Sequence, residues 1–280
     1  GDFRVVTLFE TPPTNIVAGF YGFDTFDGQT NLRNKRWDAY WFEIMRRDPG
    51  HVLATRTGIK WELWDGNTYD VEAHLRLDLL AAANVRYLVS ALPLKSGSLN
   101  LVFAPMEMKL AKVRPGFFAS LGAFLWYRLK RIFDPGELYI YELPGFLPRV
   151  FAARGIETVG DGIEPAARHQ RVGALALSRT AVVRQLDAER LKGGGAIEVV
   201  SSRKVSDGYD IAVDAPDGGI LILNNTFLPF WKAWSGEREL AIVPANAVHM
   251  ALYAPPGSTE IKVRYSRPLL REKIGKSFNR

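Results

Sequence analysis

The chain has 280 residues, of which 47 % are hydrophobic and 24 % are charged, so it can bury a substantial core and is not a mainly disordered protein. It contains no cysteine, which excludes a disulfide framework, thiolate metal sites and a cysteine nucleophile. Its 36 basic and 30 acidic residues give a net charge of +6.

The excess positive charge lies at the C-terminal end. From Arg264 onward the chain has six basic residues and one acidic residue, a net charge of +5, so the remainder is nearly neutral. A nucleic-acid-binding domain usually carries a basic stripe across its folded face, and this distribution therefore argues against nucleic acid as a partner. A basic tail suits an anionic surface such as lipid headgroups, and it is equally typical of a solvated terminus.

Membrane and export signals are missing from the sequence. A membrane-spanning helix needs about 20 consecutive apolar residues, and the longest uncharged stretch, residues 240–259, is interrupted by prolines and polar residues. The chain opens at Gly1-Asp2-Phe3 without the basic and apolar regions of a signal peptide. We expect a piece of a longer protein to begin in this way.

The first part of the chain predicts mixed helices and strands. An α/β-type region is therefore expected over residues 1–135. Its predicted elements are a strand at 3–9, a structured loop rich in Gly, Asp and aromatic residues at 15–31, an amphipathic helix at 37–45, a second helix at 75–83, and a buried strand at 85–91 that pairs with residues 99–103.

An apolar segment follows at residues 117–133. Its eleven uncharged residues, FFASLGAFLWY, precede three basic residues, and the segment is too short to span a bilayer. One reading is burial in the protein core, and the other is a helix in a membrane interface, with its aromatic residues at headgroup level. The candidate membrane-contact residues are Phe117, Phe118, Leu121, Phe124, Trp126, Tyr127, Arg128, Lys130 and Arg131.

From residue 136 the pattern changes to short strands about ten residues apart, separated by turn residues. This spacing predicts an antiparallel β-sandwich of the jelly-roll or immunoglobulin-like kind over residues 136–268. A basic tail follows at 269–280. The predicted fold class is therefore α+β, with an α/β-type region followed by the sandwich.

Catalytic patterns are scarce. The four histidines lie far apart without metal-binding spacing, and no nucleophile elbow, Walker loop or dinucleotide fingerprint is present. We therefore predict no metal, no cofactor and no catalytic residue. The remaining enzymatic alternative is a glycoside hydrolase that uses Asp24 and Asp27 as its carboxylate pair.

Two places offer groups suited to polyhydroxyl ligands. The loop near the N-terminus combines phenylalanines with Tyr21, Asp24, Asp27, Gln29 and Asn31, and its alternative interpretation is a packed structural loop. Further along, Trp231 and Trp234 are three residues apart, so a regular strand places them on opposite faces. Trp234 is the candidate for stacking a sugar ring, and the alternative is that both indoles pack in the core.

The last third of the chain carries a specific motif. It reads GILILNNTFLPFWKAWSG at residues 219–236, and IVPAN, ALYAPPGSTEIKVRY and Pro268 follow it. The motif resembles the C-terminal extracytoplasmic domain of YfhO-type bacterial membrane proteins, a multi-spanning group related to glycosyltransferases that use lipid-linked sugars. Weaker similarity begins upstream, at NVRYLV, YIYE and LPRVF. Phe230 stands where the family usually has Gly, and Ser235 stands where Asp is usual.

The resemblance implies both a function and a cellular location. It implies an accessory domain on the extracytoplasmic, periplasmic face of the bacterial inner membrane, inactive alone, whose missing transmembrane region belongs to a glycosyltransferase-like parent. Such a domain would cover the membrane active site or bind an acceptor glycan or lipid-linked sugar, and its partner would be the membrane surface or its own transmembrane part. The alternative is a free-standing carbohydrate-binding or interaction module.

Overall fold

The computed structural model describes residues 3–8, 24–25, 40, 63–104, 138–160, 165–191 and 195–266. Strands predominate there over a few short helices, so the fold is β-rich. The chain divides into two compact units, Gly1–Pro148 and Arg149–Arg280. The sequence places a border at residue 135, whereas the strand at residues 139–142 lies within the first unit.

The described part of the first unit contains two short helices and two sheets. The five-stranded sheet has the order β2-β1-β4-β7-β6, in which β2, β1 and β4 are parallel, while β7 is antiparallel to both of its neighbours. The second sheet is the parallel pair β3-β5. The elements are β1 (Arg4–Leu8), β2 (Asp24–Thr25), β3 (Tyr69–Asp70), α1 (Val71–His74), α2 (Leu77–Ala82), β4 (Val85–Ser90), β5 (Leu94–Lys95), β6 (Asn100–Phe103) and β7 (Tyr139–Glu142).

Local side chains set the ends of these helices. The Asp70 carboxylate accepts a hydrogen bond of 2.9 Å from the backbone N–H of Ala73 and so caps the start of α1. After α2 the chain turns at Asn84, whose φ of +68° lies in the left-handed region that Asn tolerates. The buried Asn84 amide donates from Nδ2 to the carbonyl of Leu147 at 3.0 Å. These contacts direct the chain from α2 into β4.

The predicted helix and buried strand at residues 75–91 are confirmed as α2 and β4. Two other predictions for this unit are wrong. The strand β6 pairs with β7 and not with β4, because β7 lies between them. Asp24 lies in the strand β2, beside Arg4 of β1, and not in a loop. The predicted helix at 37–45 falls outside the described residues except for Tyr40.

The described part of the second unit contains eleven strands and three short helical segments. They are β8 (Val150–Ala152), β9 (Gly155–Val159), α3 (Pro165–Ala174), β10 (Thr180–Arg184), α4 (Gln185–Ala188), a 3₁₀ turn (Glu189–Leu191), β11 (Glu198–Val205), β12 (Gly208–Ala215), β13 (Gly219–Leu223), β14 (Trp231–Ser235), β15 (Arg238–Leu240), β16 (Ile242–Ala245), β17 (His249–Ala254) and β18 (Ser258–Tyr265).

These strands form two antiparallel sheets and one parallel pair. The larger sheet has the order β11-β12-β18-β14-β15, the smaller one β16-β17-β13-β8, and the pair is β9-β10. Both antiparallel sheets contribute to a single hydrophobic cluster, with Ile211, Ala233 and Val263 from the larger sheet and Leu221 and Leu252 from the smaller one. The strand β13 is buried along its whole length, as expected for a strand that is apolar on both faces.

Candidate ligand-binding face

The face of the five-stranded sheet opposite the hydrophobic cluster carries a row of polar and aromatic side chains. Arg203, Asp210, Lys262, Trp234 and Glu239 are successive cross-strand partners, one from each of β11, β12, β18, β14 and β15. Directly opposed residues of antiparallel strands share a face of the sheet. We call this surface the Trp234 face.

The alternation of side chains explains why this row faces away from the cluster. In β14, Ala233 is fully buried in the cluster, whereas Lys232 before it and Trp234 after it are not members of the cluster. Trp231, on the same side as Ala233, packs against the cluster, and its ring centroid is 5.1 Å from that of Tyr265. The prediction that Trp231 and Trp234 lie on opposite faces of one strand is confirmed.

One end of the row is held by an arginine network. The Arg264 guanidinium donates to the Asp210 carboxylate and, through Nη1, to the carbonyl of Tyr209 at 2.7 Å. Arg203 Nη2 donates to the other Asp210 oxygen at 2.9 Å, and Arg264 Nε lies 3.5 Å from Asp207 Oδ1. The hydrogen bond from Arg264, followed by that from Arg203, holds the pKa of Asp210 below its usual range. Arg264 is therefore committed to neighbouring acceptors.

Two lysines lie beside the indole on this face. Lys262 is the cross-strand partner of Trp234, and its ammonium lies 3.3 Å from Glu260 in an exposed ion pair. Lys232 precedes Trp234 by two residues on the same face and is exposed. No carboxylate within the described ranges lies close enough to pair with Lys232. Its cross-strand partner is Arg264, so two like charges face each other across the ladder.

The side chains of this face are suited to binding a sugar. A partly exposed indole surrounded by ammonium and carboxylate groups can stack against the C–H face of a sugar ring, while the charged groups bind its hydroxyls or substituents. The described residues contain no group of three or more His, Asp or Glu side chains arranged to hold a metal ion.

The sequence-predicted site residues are distributed unevenly. Trp234 lies on this face between Lys262 and Glu239, whereas Asp24 belongs to the first unit, half-buried in β2. The other predicted ligand residues, Tyr21, Asp27, Gln29 and Asn31, lie outside the described residues. The same holds for all nine proposed membrane-contact residues between Phe117 and Arg131.

Sequence reasoning did not select the polar residues around Trp234. The signal for Lys232 is its spacing of two from Trp234, which places both on one face of a strand. The signal for Lys262 and Arg264 is the alternation in IKVRY, where the apolar residues point to the core. These patterns do not show which strands are neighbours in the sheet, so they do not predict the row of residues around Trp234.

A second aromatic and charged cluster lies in the first unit. The Arg86 guanidinium carbon is 5.5, 5.0 and 5.5 Å from the ring centroids of Phe3, Tyr87 and Phe146. Arg86 Nε also donates to Glu142 Oε1 at 2.9 Å. The rings and the carboxylate are thus engaged with Arg86, and these contacts stabilise the first unit.

Comparison with known proteins gives no relative: no protein-family model matches the chain, and no curated protein or solved structure is significantly similar to it. Along the parts of the chain that the structure describes, every helix is too short or too polar to cross a membrane.

Proposed function

We propose that the chain is a non-catalytic accessory domain that binds glycans through the Trp234 face. The observation that carries this proposal is the partly exposed indole of Trp234 in the middle of an otherwise polar sheet face, flanked by Lys262 and Glu239. An isolated aromatic ring among charged groups contributes nothing to the hydrophobic cluster on the other side of the sheet. It does provide the stacking surface that a pyranose ring requires.

We further infer that the second unit is a β-sandwich and that the first is of α/β type. Support for the sandwich comes from the two antiparallel sheets that share one hydrophobic cluster. Support for the α/β type comes from the parallel strands β2, β1 and β4 and from the helix α2 that precedes β4. In this arrangement the Trp234 face is the outer surface of a sandwich, where Lys232, Lys262 and Glu239 are exposed.

Binding of neutral and acidic oligosaccharides to the full chain tests this function. We expect binding on an immobilised glycan array, confirmed by titration calorimetry, and a loss of at least about tenfold in affinity for Trp234→Ala. The matched control is Trp64→Ala, which removes another half-buried indole, from the first unit, and it should leave the affinity unchanged. Absence of binding to every glycan, or equal binding by Trp234→Ala and the natural chain, would overturn the proposal.

We also propose a membrane-bound parent of the YfhO type at the extracytoplasmic face of the bacterial inner membrane. The motif at residues 219–268 supports it, and so does the hairpin β14–β15, in which WKAWS turns at Gly236. In such a parent the domain would cover the membrane active site or hold its acceptor glycan. Sequencing the gene upstream of Gly1 tests this: apolar segments of about 20 residues are expected, and their absence would refute a membrane-bound parent.

Contact with the membrane surface is the remaining part of the proposal. It rests on the apolar run at 117–127, on Arg128, Lys130 and Arg131 after it, and on the basic residues of the C-terminal tail. We expect the chain to float with anionic vesicles and not with neutral ones. Replacing the three basic residues by Gln should reduce the bound fraction, and no flotation with anionic vesicles would exclude this contact.

A further inference from the structure

We infer that the glycan bound by the Trp234 face carries an anionic group, a carboxylate or a phosphate, that binds at Lys232 and Lys262, the two lysines beside the indole. This inference rests on the proposed glycan-binding function and names the class of sugar. It follows from three features of the face: two like charges opposed across neighbouring strands, two lysines that are open to an incoming anion, and the spacing between Lys232 and the indole.

The first feature is the juxtaposition of Lys232 and Arg264. They are direct cross-strand partners in β14 and β18, and like charges in this position destabilise a sheet. Arg264 is balanced by Asp210 and Asp207. Lys232 has no such compensation among the described residues. An anion bound at Lys232 would relieve this repulsion.

The second feature is the different state of the two lysines beside Trp234. Lys262 is held only in an exposed pair with Glu260, and both side chains are more than half exposed. Such pairs contribute little to stability and exchange readily. Lys232 and Lys262 are therefore both available to an incoming anion, while the guanidinium of Arg264 is already fixed in place by its acceptors.

The third feature is the spacing between the cations and the ring. Lys232 and Trp234 are two residues apart on one face of a strand, about 7 Å along its axis. The lysine side chain can span that distance. A sugar ring stacked on Trp234 can thus present a carboxylate or phosphate substituent to Lys232 without leaving the indole.

Glu239 supplies the asymmetry of the face. It lies on the opposite side of Trp234 from Lys262. An acidic sugar should orient its anionic group toward the lysines and its neutral hydroxyls toward Glu239, which accepts hydrogen bonds from them. This carboxylate also repels the anionic group, so its removal should strengthen the binding of an acidic sugar.

The test compares trigalacturonate with its methyl ester, because esterification removes the charge and keeps the rings. Glucose 1-phosphate is the phosphate arm. We expect the full chain to bind the acidic trisaccharide at least about tenfold more tightly than its ester, and to lose most of this preference in high salt. Binding of the sugar phosphate alone would assign phosphate as the anionic group, and binding of trigalacturonate alone would assign carboxylate.

Three variants complete the test. Lys232→Gln should lower affinity for the acidic sugar about tenfold and leave that for the ester unchanged, whereas Lys95→Gln in the first unit should change neither. Glu239→Gln should raise affinity for the acidic sugar several-fold. Unchanged melting temperatures show that the variants fold. Equal and measurable binding of acid and ester would overturn this inference and leave glycan binding intact, and binding of no saccharide, the sugar phosphate included, would overturn both.

Discussion

Gly208 approaches Val263 so closely that a Cβ atom on Gly208 would lie 1.9 Å from the Val263 carbonyl oxygen. The obstacle is backbone of the neighbouring strand β18, so it cannot move aside as a flexible side chain does. We predict that Gly208→Ala destabilises the second unit by at least about 2 kcal/mol. Denaturant unfolding measures this loss.

Gly155→Ala is the matched control for that substitution. A Cβ at Gly155 would meet nothing within 4 Å, and the residue lies in the exposed part of β9. Gly155→Ala should change the free energy of unfolding by no more than about 0.5 kcal/mol. If the two variants lose equal stability, the close contact between β12 and β18 is not the cause.

Trp231 and Trp234 should respond differently to truncation. Trp231 packs against the hydrophobic cluster and against the Tyr265 ring, so Trp231→Ala should cost about 3 kcal/mol. Trp234→Ala removes an indole from the polar face and should cost about 1 kcal/mol or less. Thermal unfolding of both variants checks the order, and an unchanged melting temperature for Trp231→Ala would show that this indole is not part of the core.

Asn84 combines a hydrogen bond with a left-handed backbone. Asn84→Gly loses the bond to the Leu147 carbonyl but accepts the φ of +68° without strain. Asn84→Ala loses the bond and also strains the backbone, so it should be less stable than Asn84→Gly by about 1 kcal/mol. The comparison of the two variants by denaturant unfolding isolates the backbone contribution, and equal stabilities would contradict it.

Asp210 should titrate at a lower pH than an ordinary aspartate. Because Arg264 and Arg203 lower its pKa in the folded state, the folded protein binds this proton more weakly than the unfolded chain does. The stabilisation is therefore complete above the unfolded pKa, about 3.9, and is lost as pH falls through the folded value. Carboxyl chemical shifts measured by NMR across acid pH check the direction.

Two substitutions separate the arginines in that titration. Arg264→Gln should raise the pKa of Asp210 more than Arg203→Gln does, since the hydrogen bond from Arg264 is the larger cause of the shift. The Arg203 side chain is also 79 % exposed, and solvent screens its charge. A larger effect from Arg203→Gln would reverse this assignment.

The sequence predicts individual helices and strands better than it predicts which strands pair with each other. The runs that became α2, β4 and β13 carry clear periodicity or continuous apolar character, and the spacing of the two indoles correctly separates Trp231 from Trp234. The strand β14 is harder to recognise. Its sequence WKAWS is only five residues long, and Ala233 is its only fully buried residue, so the alternation of apolar and polar residues is weak. β10 lies within the region of predicted antiparallel strands, yet it pairs in parallel with β9.

Pairings between distant segments are the part that the sequence does not determine. Nothing in residues 99–103 indicates that β7 separates β6 from β4. Likewise, the opposition of Lys232 and Arg264 depends on the register of β14 against β18. Periodicity identifies which residues share a face of one strand, but the partner strand is chosen by packing across the whole sheet. The candidate site could therefore be predicted only as far as Trp234.

The position of β18 constrains how the protein is made. This strand is the last described element of the chain, yet it is the central strand of its sheet, between β12 and β14. During synthesis β11, β12, β14 and β15 leave the ribosome before residues 258–265 do. Their apolar faces therefore stay exposed until β18 emerges and pairs with β12 and β14. Chaperones at the ribosome would meet these exposed segments. Any nascent chain that stalls before Tyr265 would lack the middle of the sheet and become a substrate for proteolysis.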